Sequence, residues 1–220
     1  MNATAMSLNI KILFVALFIS MLGMAQQVET DVEATVETAQ SKSRKLGSIT
    51  FGPYIPITFG NNFVNNGMDI KTGAQLQMKV NFLQKFYAGP SMSFFTGKVT
   101  HPELIGNYER TTNLIIGAVV GYEKQISRFD LSVGIGVGFS GYFNVGLGDK
   151  FNDRGTALWF RPEISYRLAN YISVYVAPEL RRDFMTIEVA KELEDTFGSV
   201  NYFNIGFGLR INLGSGYNLR

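Results

Sequence analysis

Tyr202-Phe203-Asn204-Ile205-Gly206-Phe207-Gly208-Leu209-Arg210-Ile211-Asn212-Leu213 is the stretch from which the fold is read. Its odd positions are all apolar: Phe203, Ile205, Phe207, Leu209, Ile211 and Leu213. Its even positions, Tyr202, Asn204, Gly206, Gly208, Arg210 and Asn212, are polar or very small. Successive side chains of a strand point to opposite faces, so the stretch reads as a ribbon with one greasy face and one wet or tightly packed face. Its length suits a tilted strand crossing a bilayer.

The same alternation recurs seven times upstream, over 49–59, 70–82, 86–95, 113–122, 129–140, 158–168 and 171–181. The fifth strand is the most regular, with Phe129, Leu131, Val133, Ile135, Val137 and Phe139 set against Asp130, Ser132, Gly134, Gly136, Gly138 and Ser140. Eight strands are an even number that can close without an open edge. Tight connections near Gln84, Gln125 and Ala169 alternate with longer ones over 61–67, 97–109, 143–155 and 183–199. Short turns at one end and long loops at the other are the habit of outer-membrane barrels. Aromatics of outward parity gather at both ends: Phe82, Phe86, Tyr122, Phe129 and Tyr166 by the turns, and Phe59, Phe94, Phe139, Phe160 and Phe203 towards the loops. Rings straddling two membrane interfaces make such girdles.

A soluble lipocalin-like barrel has the same strand count and the opposite polarity, apolar inside and polar outside. Here the polar face carries Gly117, Gly121, Gly134, Gly136, Gly138, Gly206 and Gly208, for which a solvated surface has no use. A narrow lumen does use them, because small residues on some strands make room for Tyr54, Tyr87, Trp159, Arg161, Tyr175, Arg181, Tyr202 and Arg210 on others. The fold class implied is all-β: an eight-stranded antiparallel up-and-down transmembrane β-barrel.

At the N-terminus, Lys11 precedes the apolar run 12–22, and Gly23-Met24-Ala25 is a small-x-small cleavage site. Residues 1–25 therefore read as a signal peptide. Residues 26–45 read as a polar periplasmic N-terminal extension, and 46–220 as the outer-membrane β-barrel. No other apolar run approaches the ~18 residues of a membrane helix, so a membrane-embedded chain must cross as strands. The absence of cysteine removes disulfides, thiolate metal sites and a cysteine nucleophile. A net charge of +2 without a basic stripe gives no footprint for nucleic acid.

Over 46–213 the chain resembles the small porin-like "outer membrane protein β-barrel domain" families, built like the OmpA and OmpX barrels. The alternating strands, the loop asymmetry and the outward prolines Pro53, Pro90, Pro162 and Pro178 carry the resemblance. It implies an integral protein of the bacterial outer membrane. Such barrels often end on an aromatic residue read by the assembly machinery, whereas this chain runs past Leu213 to Arg220.

Arg161, Glu163, Arg167, Glu179, Arg181 and Arg210 share lumen parity. Charges withdrawn from water need partners, so a mixed-sign network is the expected filling. A three-residue turn near Ala169 would set Glu179 opposite Arg161, and Arg181 opposite Trp159. Lys98, Arg110, Arg154 and Arg182 fall on outward parity at the loop end, where cations can pair with lipopolysaccharide phosphates. Outer-membrane lipid and lipopolysaccharide are thus the expected partners, with other outer-membrane or periplasmic proteins beside them. Gly136-Val137-Gly138-Phe139-Ser140-Gly141 matches the dinucleotide-binding glycine pattern, but these glycines continue a strand where that motif needs a strand-to-helix turn. His101 in the second long loop, with Ser91, Ser93 and Glu103 near it in sequence, is the residue set a lipid A-modifying barrel enzyme would use. In the last loop, Ile187, Ala190, Leu193 and Phe197 have helical spacing.

No cofactor, metal or catalytic constellation is expected. The function read from the chain is that of a non-enzymatic outer-membrane barrel, structural, surface-binding or an accessory subunit of a larger complex. A narrow porin-like channel, a lipid A-modifying enzyme and a soluble lipocalin-like carrier are the competing readings.

Overall fold

A computed structural model gives the fold and describes residues 44–83, 85–146, 152–187 and 191–217. The signal peptide expected over 1–25 and all but the last two residues of the 26–45 extension lie outside the described residues. The elements are β1 (Lys45–Phe59), α1 (Phe63–Gly67), β2 (Met68–Ile70), β3 (Gly73–Phe82), β4 (Phe86–Val99), α2 (Pro102–Ile105), β5 (Arg110–Ile126), β6 (Phe129–Val145), β7 (Asn152–Arg167), β8 (Ile172–Met185), a 3-10 turn (Lys191–Leu193), α3 (Glu194–Phe197) and β9 (Ser199–Gly214).

Every pairing is antiparallel; β1 lies between β3 and β9, and the β4–β5 ladder completes the ring. The result is a closed eight-strand barrel. β2 and β3 together form one of its eight staves. Both pair with β4, but Met68↔Val99 and Ala74↔Phe94 differ in register by one residue, which is absorbed at Lys71 and Thr72. The alternation over 70–82 reads as one strand; the bulge divides it. The long strands also reach further than expected. β5 and β6 have 17 residues each and β4 runs to Val99, so 97–99, 143–145 and 152–155, expected as loop, are strand. Beyond the bilayer, backbone pairing continues until a turn breaks it.

Side-chain parity holds around the barrel. Phe51, Leu76, Phe94, Val120, Ile135, Phe160, Val176 and Leu209 are exposed, while Tyr54, Gln77, Tyr87, Asn113, Asp130, Arg161, Tyr175 and Arg210 are buried. Ile135 at mid-strand is 64% exposed. Moving such a side chain out of water is worth about 1.5–3 kcal/mol, so a skin of them belongs in hydrocarbon. The lipocalin-like polarity is not the one observed.

Inside, small residues face large ones. A Cβ at Gly136 would stand 2.1 Å from Trp159 Cε2, so the indole lies flat against the bare backbone of β6. On the outer face, the β7–β8 ladder skips from Phe160↔Leu180 to Ile164↔Val176. Pro162 and Pro178 face each other in that gap, and neither has an N–H to give. Behind them Arg161 Nη1 lies 3.8 Å from Glu179 Oε2, tying the two strands from within.

Both ends are covered. At the loop end, Phe63 and Val64 of α1 are buried against Tyr54, Phe95, Tyr142, Val200 and Tyr202. The Phe63 ring stacks on Phe197 of α3 at 5.4 Å and tilts on Tyr142 at 5.6 Å. Asn62 caps α1 by accepting from Asn65 N–H at 2.9 Å, which fixes the entry of the lid. The helical spacing expected in the last loop corresponds to the 3-10 turn and α3, with 188–190 outside the described residues. At the turn end, the tail past β9 folds back. Tyr217 is fully buried, its hydroxyl donates to Gly47 O at 2.9 Å, and Lys45 Nζ sits 4.6 Å from its ring centroid. The chain thus does not simply trail away after Leu213.

Candidate functional site

The lumen is filled by charge in tiers. Lys79, Arg161, Arg167, Arg181 and Arg210 are buried there, and so are Glu123, Asp130, Glu163, Glu179 and Asp183. Among the described residues, five buried cations meet five buried anions. All six network residues named from parity, Arg161, Glu163, Arg167, Glu179, Arg181 and Arg210, lie inside. Trp159 pairs with Arg181 across β7 and β8, in the register that a short turn near Ala169 implies.

In the loop-end tier, Arg181 Nε lies 3.0 Å from Asp183 Oδ1 and its guanidinium stacks 4.0 Å from the Tyr202 ring centroid. Ser140 and Tyr142 both donate to Asp183 Oδ2 at 2.7 Å, and Tyr142 and Tyr202 share a 2.7 Å bond. In the middle tier, Arg161 donates to Gln75 Oε1 at 2.8 Å, and Gln75 in turn donates to the Tyr175 hydroxyl at 2.9 Å. Tyr54 and Asn204 donate to Glu179 Oε1 at 2.7 and 2.9 Å. The next tier centres on Glu163, whose Oε1 lies 2.7 Å from Lys79 Nζ and 3.4 Å from Arg210 Nη1. Arg210 Nη2 also reaches Glu123 Oε1 at 2.8 Å. At the turn end, Asp130 is held by Arg167 Nε and Lys45 Nζ, each at 3.2 Å. Exclusion of bulk water makes each such contact strong and each unpaired charge costly, so the set holds as a unit.

Sequence reasoning missed Lys79, Glu123, Asp130 and Asp183 as members. Lys79 and Asp130 already stood on the lumen parity of their strands. Asp183 falls in the stretch 183–199 that reads as a loop, and Glu123 stands one residue beyond the alternation over 113–122.

The four rim cations, Lys98, Arg110, Arg154 and Arg182, are all exposed, but they do not form one site. Lys98 and Arg110 are directly paired across β4 and β5. Arg182 on β8 donates to Ser199 Oγ at 3.1 Å and lies 5.2 Å from the Phe184 ring centroid. Arg154 stands on β7, opposite Gly141 of β6.

His101 is exposed, and its Nδ1 lies 2.8 Å from Glu103 Oε1. That contact, after a hydrogen bond from its own backbone, holds the Glu103 carboxyl below its usual pKa. The structure does not bring Ser91 or Ser93 to this pair. Both face the lumen from β4, and Ser93 lies six residues before the strand's end, roughly 20 Å along it. The glycines 136, 138 and 141 remain within β6, with no helix to meet a pyrophosphate.

A closed sheet with an apolar skin, a polar and charge-balanced filling and long extensions at one end defines an integral β-barrel of the bacterial outer-membrane class. The solved structures it is similar to are of that class. Neisserial surface protein A, NspA, superimposes with a TM-score of 0.52 at 10% identity, covering 76% of this chain and 97% of that one. OprG, an outer membrane protein of Pseudomonas aeruginosa, gives 0.52 at 13% identity, covering 78% and 98%. Ail, the attachment invasion locus protein of Yersinia pestis, solved in complex with the heparin analogue sucrose octasulfate, gives 0.51 at 11% identity, covering 77% and 99%. At these identities the likeness is one of fold. No protein-family model matches the chain, and no curated protein sequence does.

Proposed function

We propose that this protein is a closed, non-conducting and non-enzymatic outer-membrane barrel that works through its outer surface, as a structural or surface-binding element or an accessory subunit of a larger outer-membrane complex. One observation carries the reading: among the described residues, the lumen holds five buried cations against five buried anions, between the Phe63 lid and the Tyr217 stopper. A hydrated path would have to break contacts at every tier, and eight strands leave an interior that side chains fill. The exposed position of His101, remote from the lumen serines, supports the non-enzymatic half of the reading.

Planar-bilayer recording of the refolded chain is the direct test. We expect no resolvable single-channel steps at any voltage that the bilayer survives. Reproducible unitary conductance would replace this reading with that of a narrow porin-like channel. Gentle detergent extraction from native membranes, followed by co-purification, separates a free-standing barrel from a subunit.

A further inference from the structure

We infer that Lys71, Lys98 and Arg110 form a binding groove for a phosphorylated glycolipid head group of the outer leaflet, of the lipid A type. The three side chains line an open groove of about 480 Å³ on the loop end of the barrel, together with Thr96, Gly97, Glu109 and Val145. The groove is built by the bulge. β2 hands over to β3 at Lys71, whose N–H donates to Thr96 O at 2.8 Å, and this sets the lysine beside the end of β4.

Two observations and the chemistry of the three cations point to a phosphate. Lys98 and Arg110 are direct cross-strand partners, and like charges set opposite each other destabilise a sheet unless an anion lies between them. Asp69 is paired opposite Lys98 and Glu109 lines the groove, yet among the described residues none of the three cations is in an ion pair with either acid. An arginine with two lysines can give a phosphate several charge-assisted hydrogen bonds at once.

The height of the groove points to a lipid rather than a soluble anion. Lys98 shares the outward face of β4 with Phe94, a girdle residue four positions nearer the membrane. Four residues span about 13 Å of strand, so with the usual tilt the cations stand above the aromatic belt, at the level of the head groups. They face sideways over the membrane, and exposed Val145 adds an apolar wall. The rim cations expected from sequence are thereby divided: Lys98 and Arg110 join Lys71, which parity had not singled out, while Arg182 is already engaged by Ser199 and Phe184.

The inference rests on the barrel acting at the outer surface and fails separately from that reading. The test titrates the refolded full chain in nanodiscs with fluorescent bisphosphorylated lipid A, and with the same lipid stripped of phosphate. Folding is confirmed by heat-modifiable gel migration. A Lys71→Gln/Lys98→Gln/Arg110→Gln variant is expected to weaken lipid A binding on the order of a hundredfold, given what each cation contributes near an anionic surface. An Arg154→Gln/Arg182→Gln variant is expected to bind as the parent does. Should the triple variant not fold, Lys71→Gln alone, which lies between strands, is expected to weaken binding about fivefold. Equal affinity for the dephosphorylated lipid, or equal losses in both multiple variants, would overturn the proposal. Complete competition by inorganic phosphate or a soluble polysulfated saccharide would overturn the lipid assignment. Channel conductance in the parent would sink the closed-barrel reading and leave these titrations untouched.

Discussion

Glu163 joins more charges than any other lumen carboxylate: it holds Lys79 of β3 and Arg210 of β9, and Arg161 Nη2 lies 4.0 Å from its Oε2. Replacing it with glutamine keeps the volume and removes the charge, leaving a dehydrated lysine and arginine with less than their share. Breaking a buried pair from one side costs about 3–5 kcal/mol. We expect Glu163→Gln to lower the unfolding free energy by that much, measured by urea titration in lipid vesicles and followed through Trp159 fluorescence. Tyr217 makes a second residue-level case. Burial, with the nearby Glu123 carboxylate adding and Arg210 opposing, pushes its phenol pKa up to about 12. The raised value means that its contribution is complete below the ordinary tyrosine pKa near 10 and is lost as pH rises through about 12. Over that window we expect the tail to leave its seat, seen as protease access to the C-terminus, whereas in Tyr217→Phe access should not change with pH.

At the scale of elements, the lid and the lumen filling are separate closures. α1 is one turn and a half of helix held by Asn62 and by Phe63, which touches Tyr142 on β6 and Phe197 on α3. Phe63→Ala should destabilise the loop end by about 3–5 kcal/mol, as truncations of buried aromatics do. It should speed hydrogen exchange in α1 and α3 and still give no conductance, because Arg181, Arg161 and Glu163 lie beneath. Conductance from Phe63→Ala alone would mean that the lid was the only seal. The loops were the least legible elements in the sequence. α1 buries Phe63 and Val64 within five residues, too few to show a period, and their partners come from β1, β4, β6 and β9.

For the whole molecule, the apolar skin sets a depth scale. On β6, Ile135 lies mid-strand and Phe129 at its turn end. We expect Ile135→Lys to cost about 2–4 kcal/mol in vesicles, and Phe129→Lys only about 0–1, because a lysine near the interface reaches water. Alternation made this skin readable, since every strand carries it where lipid touches both its neighbours. It stops being readable where the outward residues themselves turn polar. Glu123 is followed by outward Lys124 and Asp183 is preceded by outward Arg182, so the contrast between faces vanishes just where these acids enter the lumen. Nor could parity name partners. Glu163 and Lys79 sit on strands that share no ladder, and only closure of the ring brings them together.

Lys79 and Glu163 are 84 residues apart, and Arg210 lies 47 beyond Glu163. The N-terminal half of the chain therefore holds Lys79 without either of the acids it meets, Glu123 and Glu163. A nascent piece ending after β5 would carry Lys79 with Glu123, at 3.7 Å, but without Glu163, at 2.7 Å. Such a piece is left with an incompletely paired lysine and open edges, and we expect envelope proteases to clear it. Two halves supplied together should survive only by finding each other, so the wiring of the interior doubles as a checkpoint on the completeness of the polypeptide.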